Sequence, residues 1–542
     1  MATYNEPVKN KARQVVIENA IATLTHNRTS STLARRSYVR EVRSHLLSSD
    51  NAFDVLEARK LTDATIERWE SFYDSIAQVK VPANLRIAYL AGPNPENDIK
   101  VFCAAGVLPE NIWAFESKNT IYSEAVLAAL NSEFPFIKIT NGGIDAFLEA
   151  SLLRFDIIYL DFCGPLPSRN KKQKTLAVLT KVLGHHALNS PGVLITNFSL
   201  PTQKQDSSGR ALLAKLVACY LYPKGFLEVE DSETTTEGPV ANGLNTQEWY
   251  ETVTRNLDFY YGQFITRLLM DHASFVSSYD RFSKHNALFG KLFNIRDQES
   301  PARIIQSLFH FEESEDSGGG DVISDSDQYP VLWSFAALDK GLNARDRNYP
   351  QFIFEDNDFS NFADLFLSQL NINGKKAELL KNVPLLLYLL SEGEGQETYL
   401  CKSMKAIREK LSSRNFYQFC DVLLFHQIQE LLFRQVANPY HVNIEKTARW
   451  TYQAKDTPMF LDMLVLDKCR YLYDWMPTID MFSAGISDIE RQLVYRFVLD
   501  GIAKHRLWYN CEFFYGTAVI GRNNKGFEAK ILRPRETITS DL

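Results

Sequence analysis

The sequence predicts an α/β fold built on a doubly wound, mostly parallel sheet, with a helical segment before it and a mainly helical region after it. Three observations carry that expectation. Five short runs rich in β-branched and aromatic residues recur between residues 85 and 200. Segments with apolar residues three and four apart, the spacing of one helix face, lie between them. Strand, helix and strand in alternation need crossover connections, which lay the strands parallel and cover both sheet faces with helices.

Taken in order, "KARQVVIENAIATL" and "TDATIERWESFYDSIAQV" predict helices over residues 1–80. Residues 1–50 hold eight Lys or Arg against four acids, and Arg35, Arg36, Arg40 and Arg43 cluster in "STLARRSYVREVRSHLL". A solvated helix face explains such a cluster; a helix contacting nucleic-acid phosphates is the alternative. The strands follow as "LRIAYLA" (85–91), "IWAFE" (112–116), "FIKIT" (136–140), "FDIIYLD" (155–161) and "GVLITN" (192–197). Beyond 200 come a helix in "GRALLAKLVACYLY", a polar loop in "LEVEDSETTTEGPVANGLN" and a helical stretch over about 247–280. Residues 311–328 carry seven acids, three consecutive glycines and no Lys or Arg, a composition that cannot bury a core. The expected organisation is therefore a helical segment (1–80), an α/β domain (81–308), an acidic Gly/Ser-rich linker (309–330) and a mainly helical C-terminal domain (331–542). That last region closes on β-like "CEFFYGTAVIG" and "FEAKIL" and is a candidate for docking a protein partner.

Bulk properties narrow the function. The 542 residues are 45% hydrophobic and carry a net charge of −7, which excludes a uniformly basic coat but not a local basic groove. The seven cysteines are scattered, with no C-x-x-C pair and no His at ligand spacing. Reduced thiols, and neither a disulfide frame nor a metal site, are expected. The N-terminus lacks an apolar signal core. The longest apolar run, "PLLLYLL" at 384–390, is too short to span a bilayer. A cytoplasmic protein without membrane association is expected.

Ligands of parallel sheets bind beyond the carboxyl ends of the strands, so those ends hold the candidate residues. After the first strand, Ala91, Gly92, Pro93 and Asn94 form a turn into a helix, where a ligand can approach the backbone. One glycine is not a pyrophosphate fingerprint, and no G-K-[ST] occurs, which argues against NAD and ATP. The second strand ends at Glu116, followed by Ser117. A carboxylate there can accept from two vicinal ribose hydroxyls, or it can cap the next helix. In "NGGIDAFL", Asp145 and the backbone at Ile144 can sit beside an adenine edge, or Asp145 can be a helix N-cap. In "FDIIYLDFCGPLP" a buried strand ends on Asp161 and breaks into Phe162, Cys163, Gly164, Pro165 and Pro167.

Together "LAGPNPENDI", "WAFES", "NGGIDAFL" and "FDIIYLDFCGPLP", with "GVLITNFS" after them, resemble the class I S-adenosylmethionine-dependent methyltransferases. The nearest type is the tRNA guanine-N2 dimethyltransferases, over about residues 80–200. The resemblance implies a Rossmann-like sheet with S-adenosylmethionine held at Ala91 to Asn94, Glu116, Ser117, Ile144 and Asp145. It implies methyl transfer to a nitrogen of a nucleic-acid base, RNA in preference to DNA. Asp161 would accept from the exocyclic amine and Phe162 would stack on the base, while Pro165 and Pro167 stiffen the loop. The family carries Asp-Pro-Phe-Gly where this chain has Asp161, Phe162, Cys163 and Gly164, so the proline carbonyl that faces the amine is missing. Cys163 opens a different chemistry, the covalent nucleophile of cytosine-C5 methyltransferases, although a small packed residue is the commoner role. A methyltransferase-like domain that binds without turnover is the third reading.

Overall fold

A nine-stranded mixed sheet organises the chain. The computed structural model describes residues 6–33, 36–48, 50, 52–170, 174–224, 238–239, 242–284, 334–335, 337–338, 352, 354, 356–371, 401–402, 405–406, 439–474 and 532–539. The strands are β1 (Ile87–Leu90), β2 (Ile112–Glu116), β3 (Lys138–Asn141), β4 (Phe155–Asp161), β5 (Leu188–Ser199), β6 (His441–Val442), β7 (Ala448–Ala454), β8 (Thr457–Asp467) and β9 (Glu536–Thr537). They lie in the order β3-β2-β1-β4-β5-β8-β7-β9, with β6 paired to the end of β8. The first five are mutually parallel, and β8 runs antiparallel to β5.

The helices preceding the sheet are α1 (Pro7–Leu24), α2 (Arg28–Ser31), α3 (Tyr38–Leu47), α4 (Ala52–Lys60) and α5 (Asp63–Ile76). Those between or after the parallel strands are α6 (Glu96–Ala104), α7 (Asn119–Leu130), α8 (Ile144–Ala150), α9 (Thr175–Gly184), α10 (Ser207–Leu221), α11 (Thr246–Arg255), α12 (Leu257–Asp271) and α13 (Ser277–Lys284). Two more, α14 (Asn357–Gln369) and α15 (Arg470–Tyr473), are described further on. None of the described helices is long and apolar enough to cross a membrane.

Strand alternation divides the core. Ile157 and Tyr159 of β4 join Ile87, Tyr89, Val193 and Ile195 in one cluster, while Ile158 and Leu160 join Ala88 and Leu194 in the other. Both sides of these strands are buried, which is why they read as nearly continuous apolar runs. The first cluster is covered by α1, whose Val16, Ile17, Ala20 and Leu24 recur at helical spacing, and by Ile99 and Phe102 of α6. The second is covered by Leu148 of α8, Leu176 and Leu179 of α9 and Leu216 of α10.

One expectation changes. Residues 441–467 fall in the region read as mainly helical, yet they form β6, β7 and β8 of the central sheet. The period-two pattern was there: Met459, Leu461, Met463 and Val465 face one cluster while Phe460, Leu464 and Leu466 face the other. The hairpin turns at Lys455, whose φ of 57° is left-handed. The helical stretch at 247–280 is also broken, at Asn256, and continues through a π turn at His272–Val276. The acidic stretch 311–328, the apolar run 384–390 and "CEFFYGTAVIG" lie outside the described residues.

A buried acid anchors the start of β4. Asp156 is 0% exposed and accepts from Lys80 Nζ, from Asn189 Nδ2 at 2.9 Å and from the Arg86 amide at 2.9 Å. Removing one member of such a group leaves the others desolvated and unpaired. Asp156→Ala should therefore destabilise the sheet by about 3–5 kcal/mol, read as a lower urea midpoint in tryptophan fluorescence. An unchanged midpoint would mean the group adds nothing.

Candidate active site

The parallel register brings the sequence-derived residues to one edge of the sheet. Leu90 pairs with Phe115, Glu116 with Asn141 and Asp161 with Asn197. The ends of β1, β2, β3 and β4 therefore share that edge, and the chain order reverses between β1 and β4. A crevice at such a reversal is where open parallel sheets bind ligands.

The turn after β1 is open. Gly92 has φ +59°, and a Cβ there would meet nothing within 4 Å, so this backbone can be approached closely. Ala91 is buried and its amide donates to the Phe115 carbonyl at 2.9 Å; Pro93 and Asn94 are exposed. Tyr89 Oη donates to the Pro95 carbonyl at 2.9 Å and fixes the entry into α6. Glu116 is half-buried, and its Oε1 accepts from the Lys118 amide at 2.8 Å just before α7; Ser117 is exposed. Among the described residues no partner meets Glu116 Oε2.

At the start of α8 the N-cap is Gly143, not Asp145. Asp145 folds back so that a Cβ on Gly143 would lie 2.2 Å from its Oδ1, and its Oδ2 lies 3.5 Å from Lys181 Nζ. Ile144 is buried beside it.

Asp161 is the most tightly held of the candidate carboxylates. Its side chain is 13% exposed, Lys9 Nζ lies 2.9 Å from Oδ2, and Asn197 Nδ2 donates to Oδ1 at 2.7 Å. The same Asn197 nitrogen donates to Tyr452 Oη at 2.7 Å. Burial disfavours the Lys9 ammonium, but Asp161, and then Cys163, outweigh it, and the Lys9 pKa is raised. One helical turn along α1, Arg13 pairs with buried Asp98 at 2.6 Å. Thus α1 delivers two cations to the carboxyl edge. Lys9, Arg13, Asn197 and Tyr452 escaped the sequence reading. The available signal was Arg13, a charge inside the apolar stripe of α1.

The loop beyond Asp161 is bound on several sides. Ser199 donates from its amide to the Gly164 carbonyl at 3.1 Å, Thr175 Oγ1 donates to the Pro165 carbonyl at 3.2 Å, and the Leu166 amide donates to Tyr261 Oη at 2.7 Å. The Phe162 ring stacks on Phe198 with centroids 5.4 Å apart and planes 14° apart, so one of its faces is already covered. A cavity of about 520 Å³ lies alongside, lined by Pro165, Pro167, Arg169, Asp206 and Leu213. Cys163 is exposed as a residue, yet desolvation of its thiol, and then the Asp161 carboxylate, raise its pKa, with Lys9 and Lys118 opposing.

The basic cluster lies elsewhere and is paired. Arg36 meets Glu70 at 3.0 Å and Asp74 at 2.8 Å, Arg40 meets Glu70 at 2.8 Å and Arg43 meets Asp63 at 2.9 Å. A phosphate there would compete with carboxylates of α5. Arg35 is outside the described residues. Among the described residues no group of three or more His, Cys, Asp or Glu could hold a metal ion.

The thiol makes a pH prediction. A raised pKa means the thiolate appears only above the usual cysteine range, so iodoacetamide alkylation of Cys163 should rise with a midpoint above the ordinary value of 9.0. Peptide-resolved mass spectrometry reads it, and Lys9→Met should move the midpoint higher still. A midpoint near 7 would show an activated thiol.

No family model matches the chain, and no curated protein matches it. Among solved structures, the crystal structure of TrmN from Thermus thermophilus aligns at 16% identity over 26% of this chain, with a TM-score of 0.17. The chain spans only 38% of that protein's length. A likeness so weak and partial assigns neither activity nor ligand to this chain.

Proposed function

We propose that this chain is an S-adenosylmethionine-dependent methyltransferase with a Rossmann-like, doubly wound core, acting on a nitrogen of a nucleic-acid base, RNA in preference to DNA. The observation that carries the reading is the Asp161 carboxylate, fixed by Lys9 and Asn197 at the end of β4, where the strand order reverses between β1 and β4. The cofactor fits on two counts. Gly92 leaves its backbone open to close approach, and Glu116 keeps one carboxylate oxygen without a partner among the described residues.

In this reading Glu116 accepts from the ribose hydroxyls, and the backbone at Ala91 to Asn94, with Ser117, borders the amino-acid and sugar portions. Ile144 and Asp145 flank the adenine. The bound cofactor supplies a methyl group made electrophilic by its sulfonium. Asp161 accepts a hydrogen bond from the acceptor amine and points its lone pair along the transfer axis, so most of the rate comes from alignment. Lys9 and Asn197 hold the carboxylate in place, and Asp161 is the acceptor at hand for the proton the amine loses. Phe162, backed by Phe198, offers its remaining face to a base taken out of its stack. The raised pKa of Cys163 favours this amine chemistry over a cysteine nucleophile.

Transfer of tritiated methyl groups to RNA and DNA tests the reading. Asp161→Ala should lose at least about 100-fold in transfer, the scale of misplaced reactants, while S-adenosylmethionine binding persists. Cys163→Ser should retain most activity. Full transfer by Asp161→Ala would remove the acid from the chemistry, and an inactive Cys163→Ser would support the nucleophile. Cofactor binding by the wild type without transfer to either polymer would favour a binding domain.

A further inference from the structure

We infer that a cavity at the opposite, amino-terminal edge of the sheet binds a small carboxylate ligand with an apolar body. The cavity measures about 270 Å³ and is lined among others by Arg28, Tyr73, Ile76, Pro191, Asp467 and Tyr471. Pro191 precedes Gly192, which pairs with Leu466, so the cavity sits at the start of β5 and the end of β8. Asn197, paired with Asp161 of β4, lies at the other end of β5. The inference is independent of the proposed transfer chemistry.

Arg28 is the reason to expect an anion. Arg13, Arg36, Arg40 and Arg43 each have a carboxylate within ion-pairing distance. Arg28 has none. Its Nε donates to the Gln78 carbonyl at 2.7 Å and its Nη1 reaches the Leu24 carbonyl at 3.5 Å. Neutral carbonyls fix the guanidinium without neutralising it, and among the described residues its Nη2 end meets no partner and is left for a ligand. Burial lowers the Arg28 pKa, with Asp156 and Asp467 opposing from beyond contact distance. A half-buried cation held only by neutral carbonyls gains from an anion that brings its own charge and two acceptor oxygens.

The rest of the wall selects which anion. Two further charges line the cavity: Arg470, which is paired with Asp474 at 3.0 Å, and Asp467, whose oxygens already accept from Ser190 Oγ at 2.5 Å, the Leu33 amide at 3.0 Å and the Cys469 amide at 3.2 Å. A resident carboxylate repels a dianion more than a monoanion, which favours a carboxylate over a phosphate. Tyr73 and Tyr471 meet edge to face at 5.1 Å, and with Ile76 and Pro191 they offer an apolar surface for the ligand body. The volume, just under the usual range for ligand cavities, suits a molecule of benzoate size.

Calorimetric titration of the full chain with sodium benzoate tests the site, with benzamide and inorganic phosphate as comparison probes. The expected result is saturable one-to-one binding of benzoate at roughly millimolar affinity, with benzamide and phosphate each at least about tenfold weaker. Arg28→Gln should weaken benzoate about tenfold or more, and Ala77→Leu, which narrows the cavity without touching the charge, should do the same. Circular dichroism checks that each variant is folded; should Arg28→Gln fail to fold, Ala77→Leu and Arg28→Lys carry the comparison, Arg28→Lys binding more weakly than wild type. Absence of saturable binding overturns the inference, as does benzamide or phosphate binding as tightly as benzoate. Unchanged affinity in folded Arg28→Gln or Ala77→Leu also overturns it.

Discussion

The antiparallel register of β5 against β8 is the constraint on which the rest of the structure depends. It runs from Gly192 opposite Leu466 to Ser199 opposite Met459 and joins segments more than 250 residues apart in sequence. It sets Asn197 opposite Leu461, while the parallel pairing of β5 with β4 sets the same residue opposite Asp161. It also buries Asp462 completely, and that charge is held by Arg535 Nη1 at 2.6 Å and by Thr266 Oγ1 at 2.6 Å. A one-residue slip would turn every side chain of β8 to the other face and leave a buried carboxylate without its arginine. The register is thus enforced by apolar alternation and by charge together.

The parallel half of the sheet is tied to the N-terminal segment by a second arrangement. β4 carries a carboxylate at each end, Asp156 at its start and Asp161 at its last residue, and each meets a lysine from before the sheet, Lys80 and Lys9 respectively. Apolar contact from α1 covers the strands between these two points. The N-terminal helices therefore contribute to the edge that bears the candidate site. Loss of Lys9 would change the electrostatics of Asp161 without removing any residue of the sheet.

Much of the fold was legible because its signal is local. The runs ending at Leu90, Glu116, Asn141 and Asp161 are short, β-rich and separated by helical spacing, and each became a parallel strand within a residue or two of its expected bounds. Glu116, Asp145 and Asp161 could be found because a strand end followed by a polar residue and a turn is visible in one stretch of chain. What brings Lys9 and Asn197 to Asp161, or Tyr452 to Asn197, is long-range pairing, which no window of sequence contains. The hairpin of β7 and β8 was a different case. Its alternation was present, but helical spacing on either side of it dominated the reading of that region. Asp145 shows the limit of capping arguments: the turn has the right residues, yet Gly143 takes the cap and the acid folds over it.

The account stands on the carboxyl edge of β1 and β2 being the adenosyl-binding surface. Calorimetric titration of the full chain with S-adenosylhomocysteine, wild type against Glu116→Ala, addresses this most directly, because it needs no acceptor substrate and no turnover. The account predicts one site per chain in the wild type and a loss of about 1.5–3 kcal/mol in the variant, the scale of hydrogen bonds to a charged group. No binding by the wild type, or equal affinity in folded Glu116→Ala, would contradict it.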